Sequence, residues 1–155
     1  MKYFSYIIIA IVAICVIAGF FIVGSPKEER LMRLDDQRIQ DLQSLQSEII
    51  YYWQNKNQLP TQLTNLIDNI SGFYPPQDPE TGLAYTYEVT GNESFKLCAT
   101  FSRTGSGQNQ YLARPIVLPQ GKEITLEQDN WQHQAGYVCF DRTIDKDLYK
   151  LKDQL

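Results

Sequence analysis

The sequence predicts an α+β domain behind an apolar N-terminal helix, and three observations carry that reading. Phe4 to Val23 contains no charged residue and is long enough to span a bilayer. From Ser25 to Pro60 apolar residues recur at helical spacing over a stretch much longer than an ordinary helix. From residue 83 onward the pattern changes to short alternating segments, rich in β-formers and divided by turn residues. The expected plan is a transmembrane anchor over 1–24 and one domain over 25–155. That domain should hold a long amphipathic spine helix, a short second helix, an antiparallel sheet of three to four strands packed on the spine, and a short C-terminal helix.

The first segment reads as an uncleaved anchor that places the chain in a membrane through Phe4–Val23. A cleaved signal peptide is the competing reading. Pro26 just beyond a cut at Ser25 is poor for a signal peptidase, whereas a cut after Gly24 stays open. The apolar run is also longer than a usual signal-peptide core. The spine helix should start at a capping box of Ser25, Pro26 and Glu28, with Glu28 and Glu29 favoured by the helix dipole. Its apolar stripe is Leu31, Leu34, Ile39, Leu42, Leu45, Ile49 and Tyr52 or Trp53, and Asn55, Asn57 and Pro60 end it. Leu59, Leu63, Leu66 or Ile67, and Ile70 fit a short second helix that starts near Thr61 and stops at Ser71-Gly72. The prolines of YPPQDPETG then exclude regular structure.

Strands are expected at 83–90 and 94–102, joined at Gly91-Asn92, with Phe95, Leu97, Ala99 and Phe101 on one face. RTGSGQNQ (103–110) reads as a loop, too short and without the following helix that a phosphate cradle needs. Residues 112–118 suit an edge strand, because Pro115 cannot donate to a central ladder. A short strand is expected at 123–126 and a third firm one at 137–141. Ile144, Leu148, Leu151 and Leu155 mark the C-terminal helix.

Several of these residues together resemble type IV pilin-like proteins, most closely the major pseudopilins of type II secretion systems. The residues are Arg38, Asp41, Leu42, Leu45, Ile49 and Tyr52, then Asn57, Leu59 and Pro60, and the turn Asp78-Pro79 followed by Tyr85 and Tyr87. The likeness covers about residues 30–101. It implies a membrane helix continued by a soluble helix on which an antiparallel sheet is laid. It also implies structural roles for Arg38, Asp41, Pro60, Asp78 and Pro79. The chain departs from the family in showing no basic leader with a cleavage glycine and no glutamate early in the apolar run. It also lacks an evident acidic calcium loop. Polymerisation is therefore not carried over, nor is a calcium site.

Cys98 and Cys139 both fall mid-strand, on the side opposite their apolar neighbours. A disulfide is the expectation. Two buried free thiols, or a zinc site completed by His133, remain open beside it; zinc lacks a clear fourth ligand. His133 is the only histidine and has no nucleophile tied to it by motif, so it reads as a structural or surface histidine and not as a base. Arg38 and Asp41 stand one helical turn apart and can pair; Arg38 could instead hold an acidic group of the sheet. Asp35, Asp36, Asp145 and Asp147 read as solvated helix charges. Asp78 reads as a turn former, with weak calcium binding beside Glu80 as the competing reading. Tyr74, Tyr85, Tyr87 and Tyr111 are candidates for exposure, and Tyr51, Tyr52 and Trp53 are expected between helix and sheet or at the domain's base.

The net charge of −4 argues against a nucleic-acid partner. No cofactor motif and no catalytic constellation stands out, so the expected role is non-enzymatic. The expected protein is a single-pass envelope protein with a pilin-like domain used for structure or interaction. A pseudopilin or minor pilin subunit is the alternative, and a thiol or metal protein built on Cys98, His133 and Cys139 a second one. Lys27, Arg30 and Arg33 after the apolar run point to a cytoplasmic domain. A disulfide points outside the cytoplasm, and the extracytoplasmic side is the expectation.

Overall fold

The computed structural model describes residues 2–23, 26–105, 116–117, 123–124, 130–146 and 148–149, with side chains at all of these except 2, 5, 15–23, 26, 116–117 and 123–124. The chain divides into two compact units, Met1–Arg33 and Leu34–Leu155. The first contains helix α1, Lys2–Val23. Phe4, Tyr6, Ile7, Ile8, Ile9, Ile11, Val12 and Ile14 on it are exposed. Positions 7, 8 and 9 lie about 100° apart around the axis, so no side of this part of α1 is covered. Among the described residues no helix is long and apolar enough to cross a membrane; the side chains over the second half of the apolar run are not among them. The expected cap at Ser25 also lies outside the described residues.

Helix α2, Pro26–Lys56, places Glu28 and Glu29 in its first turn. Of the expected stripe, Ile39, Leu42, Leu45, Ile49 and Trp53 are buried, three of them completely, while Leu31 and Leu34 at its start are only half-buried. The helix stops at Asn57, which takes a left-handed φ of 53° while its N–H still bonds the Trp53 carbonyl at 2.7 Å. Asparagine tolerates this conformation better than most residues and so suits the helix end.

The expected second helix is reduced to one 3₁₀ turn, Leu63–Leu66. Asn65 Oδ1 accepts from the Gln62 N–H at 3.0 Å and from the Thr61 hydroxyl at 2.9 Å. Ile67 is already extended, and a tight turn between Asp68 and Phe73 follows. The turn leaves Ile70 fully exposed, against the expectation that it continued the apolar stripe. Side chains that bond their own backbone in this way compete with helix propagation.

The domain is α+β. Strands β1 (Thr86–Val89), β2 (Ser94–Phe101) and β5 (Gly136–Thr143) form an antiparallel sheet in the order β1-β2-β5. The inner face of β2, made by Phe95, Leu97, Ala99 and Phe101, shares one core with the stripe of α2 and with Tyr85, Trp131, Phe140 and Ile144. The sheet is thus laid on the long helix. Among the described residues, short strands β3 (Ile116–Val117) and β4 (Glu123–Ile124) pair only with each other, so Ile116 and Val117 of the expected edge strand form no part of the main sheet. Of the expected C-terminal helix, one turn is seen, with the N–H groups of Leu148 and Tyr149 bonded to the Asp145 carbonyl. Leu151 and Leu155 lie outside the described residues.

Candidate functional site

The densest polar cluster is built on Arg38, which is buried on the inner side of α2. Its Nη1 donates to Asp35 Oδ1 at 2.8 Å and to Ser102 Oγ at 3.2 Å. Nε donates to Asp78 Oδ2 at 2.6 Å, and Nη2 to Glu80 Oε2 at 2.8 Å. Asp78 is held as the sequence suggests, in a turn where one oxygen accepts the N–H groups of Glu80 and Thr81. Burial would push the Asp78 carboxyl up. The bond from Arg38 and the two N–H groups outweigh burial and bring it down to about 2. Burial likewise opposes the charge on Arg38, but its carboxylate partners raise its pKa above the usual guanidinium range.

Three expectations change here. Arg38 pairs with Asp35, one turn earlier, and not with Asp41. Asp35 is no solvated charge: it is buried and also accepts the N–H groups of Ser102 and Arg103, both at 2.9 Å. Tyr85 is buried, not exposed; its hydroxyl donates to Asp41 Oδ2 at 2.7 Å. Burial first, and then this bond, raise the pKa of Tyr85 well above the phenol range, so it acts as a fixed donor. Tyr87, a candidate for exposure, is half-buried, and its hydroxyl donates to the Pro60 carbonyl at 2.8 Å. Pro79 is exposed in the Asp78 turn. Tyr74 is exposed as expected, and Tyr111 lies outside the described residues.

Cys98 and Cys139 are joined by a disulfide across the register pair that sets them opposite each other on β2 and β5. His133 is not with them. It is buried and stacks at 3.8 Å on Phe101, on the inner side of β2, whereas Cys98 alternates to the outer side. The zinc constellation Cys98–His133–Cys139 is therefore not assembled. Among the described residues no group of three His, Cys, Asp or Glu side chains could hold a metal ion. Two reciprocal backbone bonds tie His133 to Gly105. A Cβ at Gly105 would meet His133 Cε1 at 2.7 Å.

Arg142 is a buried cation that sequence reasoning missed. It shares one face of β5 with Val138 and Phe140, and that period of two was the available signal. Its guanidinium lies 4.2 Å from the Trp131 ring centre and donates to Gln46 Oε1 at 2.7 Å and to the Asn130 carbonyl at 3.0 Å.

Two clefts open near these groups. One of about 280 Å³ lies beside Arg38, Glu80, Leu83, Thr100 and Tyr137. The larger, about 710 Å³, runs between the Asn57–Thr61 turn and the β1–β2 hairpin, where Tyr87, Glu88 and Val89 line it. Nε, Nη1 and Nη2 of Arg38 all donate, to partners on α2, in the Asp78 turn and just beyond β2, so the chemistry of the cluster is that of a clamp. No family model matches this chain, and no curated protein or solved structure does.

Proposed function

We propose that the chain is a membrane-anchored, single-pass envelope protein whose pilin-like domain has a structural or interaction role and no catalytic one. The observation that carries the reading is α1. Its described side chains are apolar and exposed around the whole circumference, and the sequence continues uncharged to Val23. A helix apolar on all sides needs lipid or protein around it. The disulfide supports a domain on the oxidising side of the membrane. The long helix under an antiparallel sheet supports the pilin-like plan.

The test is extraction of native membranes with alkaline carbonate, followed by protease treatment of intact cells stripped of any outer barrier. Retention in the pellet with a protease-accessible domain is expected. Release by carbonate removes the anchor, and protection of the domain removes its extracytoplasmic placement. A second reading, a pseudopilin or minor pilin subunit, is favoured by the same exposed α1, which other copies could cover as lipid does. Recovery of the chain in sheared pili or in a secretion pseudopilus would establish it.

A further inference from the structure

The main sheet ends on one side at β1, and three features of that edge define what would fit it. The first is free backbone. Thr90 N–H bonds the Ser94 carbonyl, so by alternation Thr86 and Glu88 also turn their backbone groups toward β2. Tyr87 and Val89 therefore turn theirs outward. Among the described residues no backbone hydrogen bond beyond the strands uses them. The second is space, because the 710 Å³ cleft runs along these residues.

The third is a row of charge across the outer face. Asp141 on β5 stands opposite Lys96 on β2, which stands opposite Glu88 on β1. Lys96 pairs with Asp141 at 3.5 Å, while Glu88 is exposed and makes no ion pair among the described residues. The row runs minus, plus, minus, and the next position outward calls for plus. On the inner face Tyr87 and the partly exposed Val89 call for apolar neighbours.

We propose that β1 is a docking edge that takes an extended peptide segment of a partner protein as a fourth strand. The segment carries a lysine or arginine between two apolar residues, the cation opposite Glu88. The added strand bonds the N–H and C=O groups of Tyr87 and Val89. The position facing Glu88 is then a site without hydrogen bonds, where opposed side chains approach most closely. A second copy fits poorly. Pairing β1 with a second β1 in the register centred on Glu88 sets Glu88 against Glu88, and adding β5 in the matching register sets Asp141 against it. The inference rests on the interaction role proposed above and not on the anchor.

The full chain in an uncharged detergent is titrated with a fluorescent peptide of alternating valine and lysine, and with its counterpart of valine and glutamate. The lysine peptide should bind at least about fivefold more tightly and slow amide exchange at Tyr87 and Val89 by about tenfold or more. Glu88→Lys should invert the preference. Val89→Pro, which removes an outward N–H, should abolish binding. The comparison of the two peptides on the unaltered chain stands even if a variant fails to fold. Equal binding of the two peptides, no binding, or binding without protection at Tyr87 and Val89 overturns the proposal. So does self-association of the peptide-free chain that Val89→Pro abolishes, since that seats a second copy on the edge. A chain that stays in carbonate-washed membranes but ignores the lysine peptide loses this inference alone.

Discussion

One guanidinium, that of Arg38, faces three carboxylates, and removing it leaves the buried charges of Asp35 and Asp78 without their counter-ion. Arg38→Ala should cost about 3–5 kcal/mol at neutral pH, read as a lower urea midpoint, with the deficit shrinking in acid as the carboxylates take up protons. Asp78 gives the same cluster a pH signature. Its carboxyl falls from 3.8 to about 2 on folding, so between those values the unfolded chain binds more protons than the folded one. Stability from this group is fully present above its unfolded pKa and is lost as the pH falls through about 2. The size is about 2 kcal/mol. Urea titrations at pH 7, 4 and 2 should show the loss in the native chain and a weaker one in Asp78→Asn. Asp78 was legible as a turn former because aspartate before proline bonds the N–H groups that follow it. Asp35 was not legible: its partners Ser102 and Arg103 lie 67 and 68 residues away, and an Asp-Asp pair on a charged helix looks solvated. Arg38 was legible as a partner for acids, but which acids depended on where the chain returns.

At the scale of the element, α2 was the most readable part of the chain, since a stripe repeated from Leu31 to Trp53, about six turns, leaves little room for another structure. Leu45, at its centre, is completely buried. Leu45→Ala should cost about 3 kcal/mol, within the range for core leucines, in chemical denaturation. The stretch after Pro60 shows the limit of the same reasoning. Leu59, Leu63 and Leu66 are buried as a helix would bury them, yet local bonds from Asn65 and Asp68 side chains hold the backbone in tight turns instead. Ile70, the next residue of the supposed stripe, is fully exposed. Ile70→Ser should change stability by no more than about 0.5 kcal/mol, whereas a continued helix would make it costly. The strands were readable by alternation. Their order was not, because nothing local says that β3 and β4 pair with each other and leave β1 at the edge.

At the scale of the whole domain, the disulfide links the central strand to β5 across a sequence separation of 41. A loop of that length lowers the entropy of the unfolded chain, worth about 3–4 kcal/mol of stability in the chain-entropy account. That is a large share of the 5–15 kcal/mol usual for a domain. The bond was legible from two mid-strand cysteines on matching faces, and the register confirms it by setting Cys98 opposite Cys139. Reduction should therefore lower the unfolding free energy by about 3 kcal/mol without dissolving the sheet, because Phe95, Leu97 and Phe140 remain packed on α2. Urea melts with and without reductant measure the difference, and the double variant Cys98→Ala/Cys139→Ala should match the reduced protein and ignore reductant. A loss of only a few tenths of a kcal/mol would mean that the helix–sheet core suffices alone. The disulfide would then tie β2 to β5 without bracing the fold, and it would carry less weight for an oxidising location. A loss near the expected value makes an oxidising compartment a condition of the domain's stability. The charge count after the apolar run, which favours the cytoplasmic side, would then have to yield.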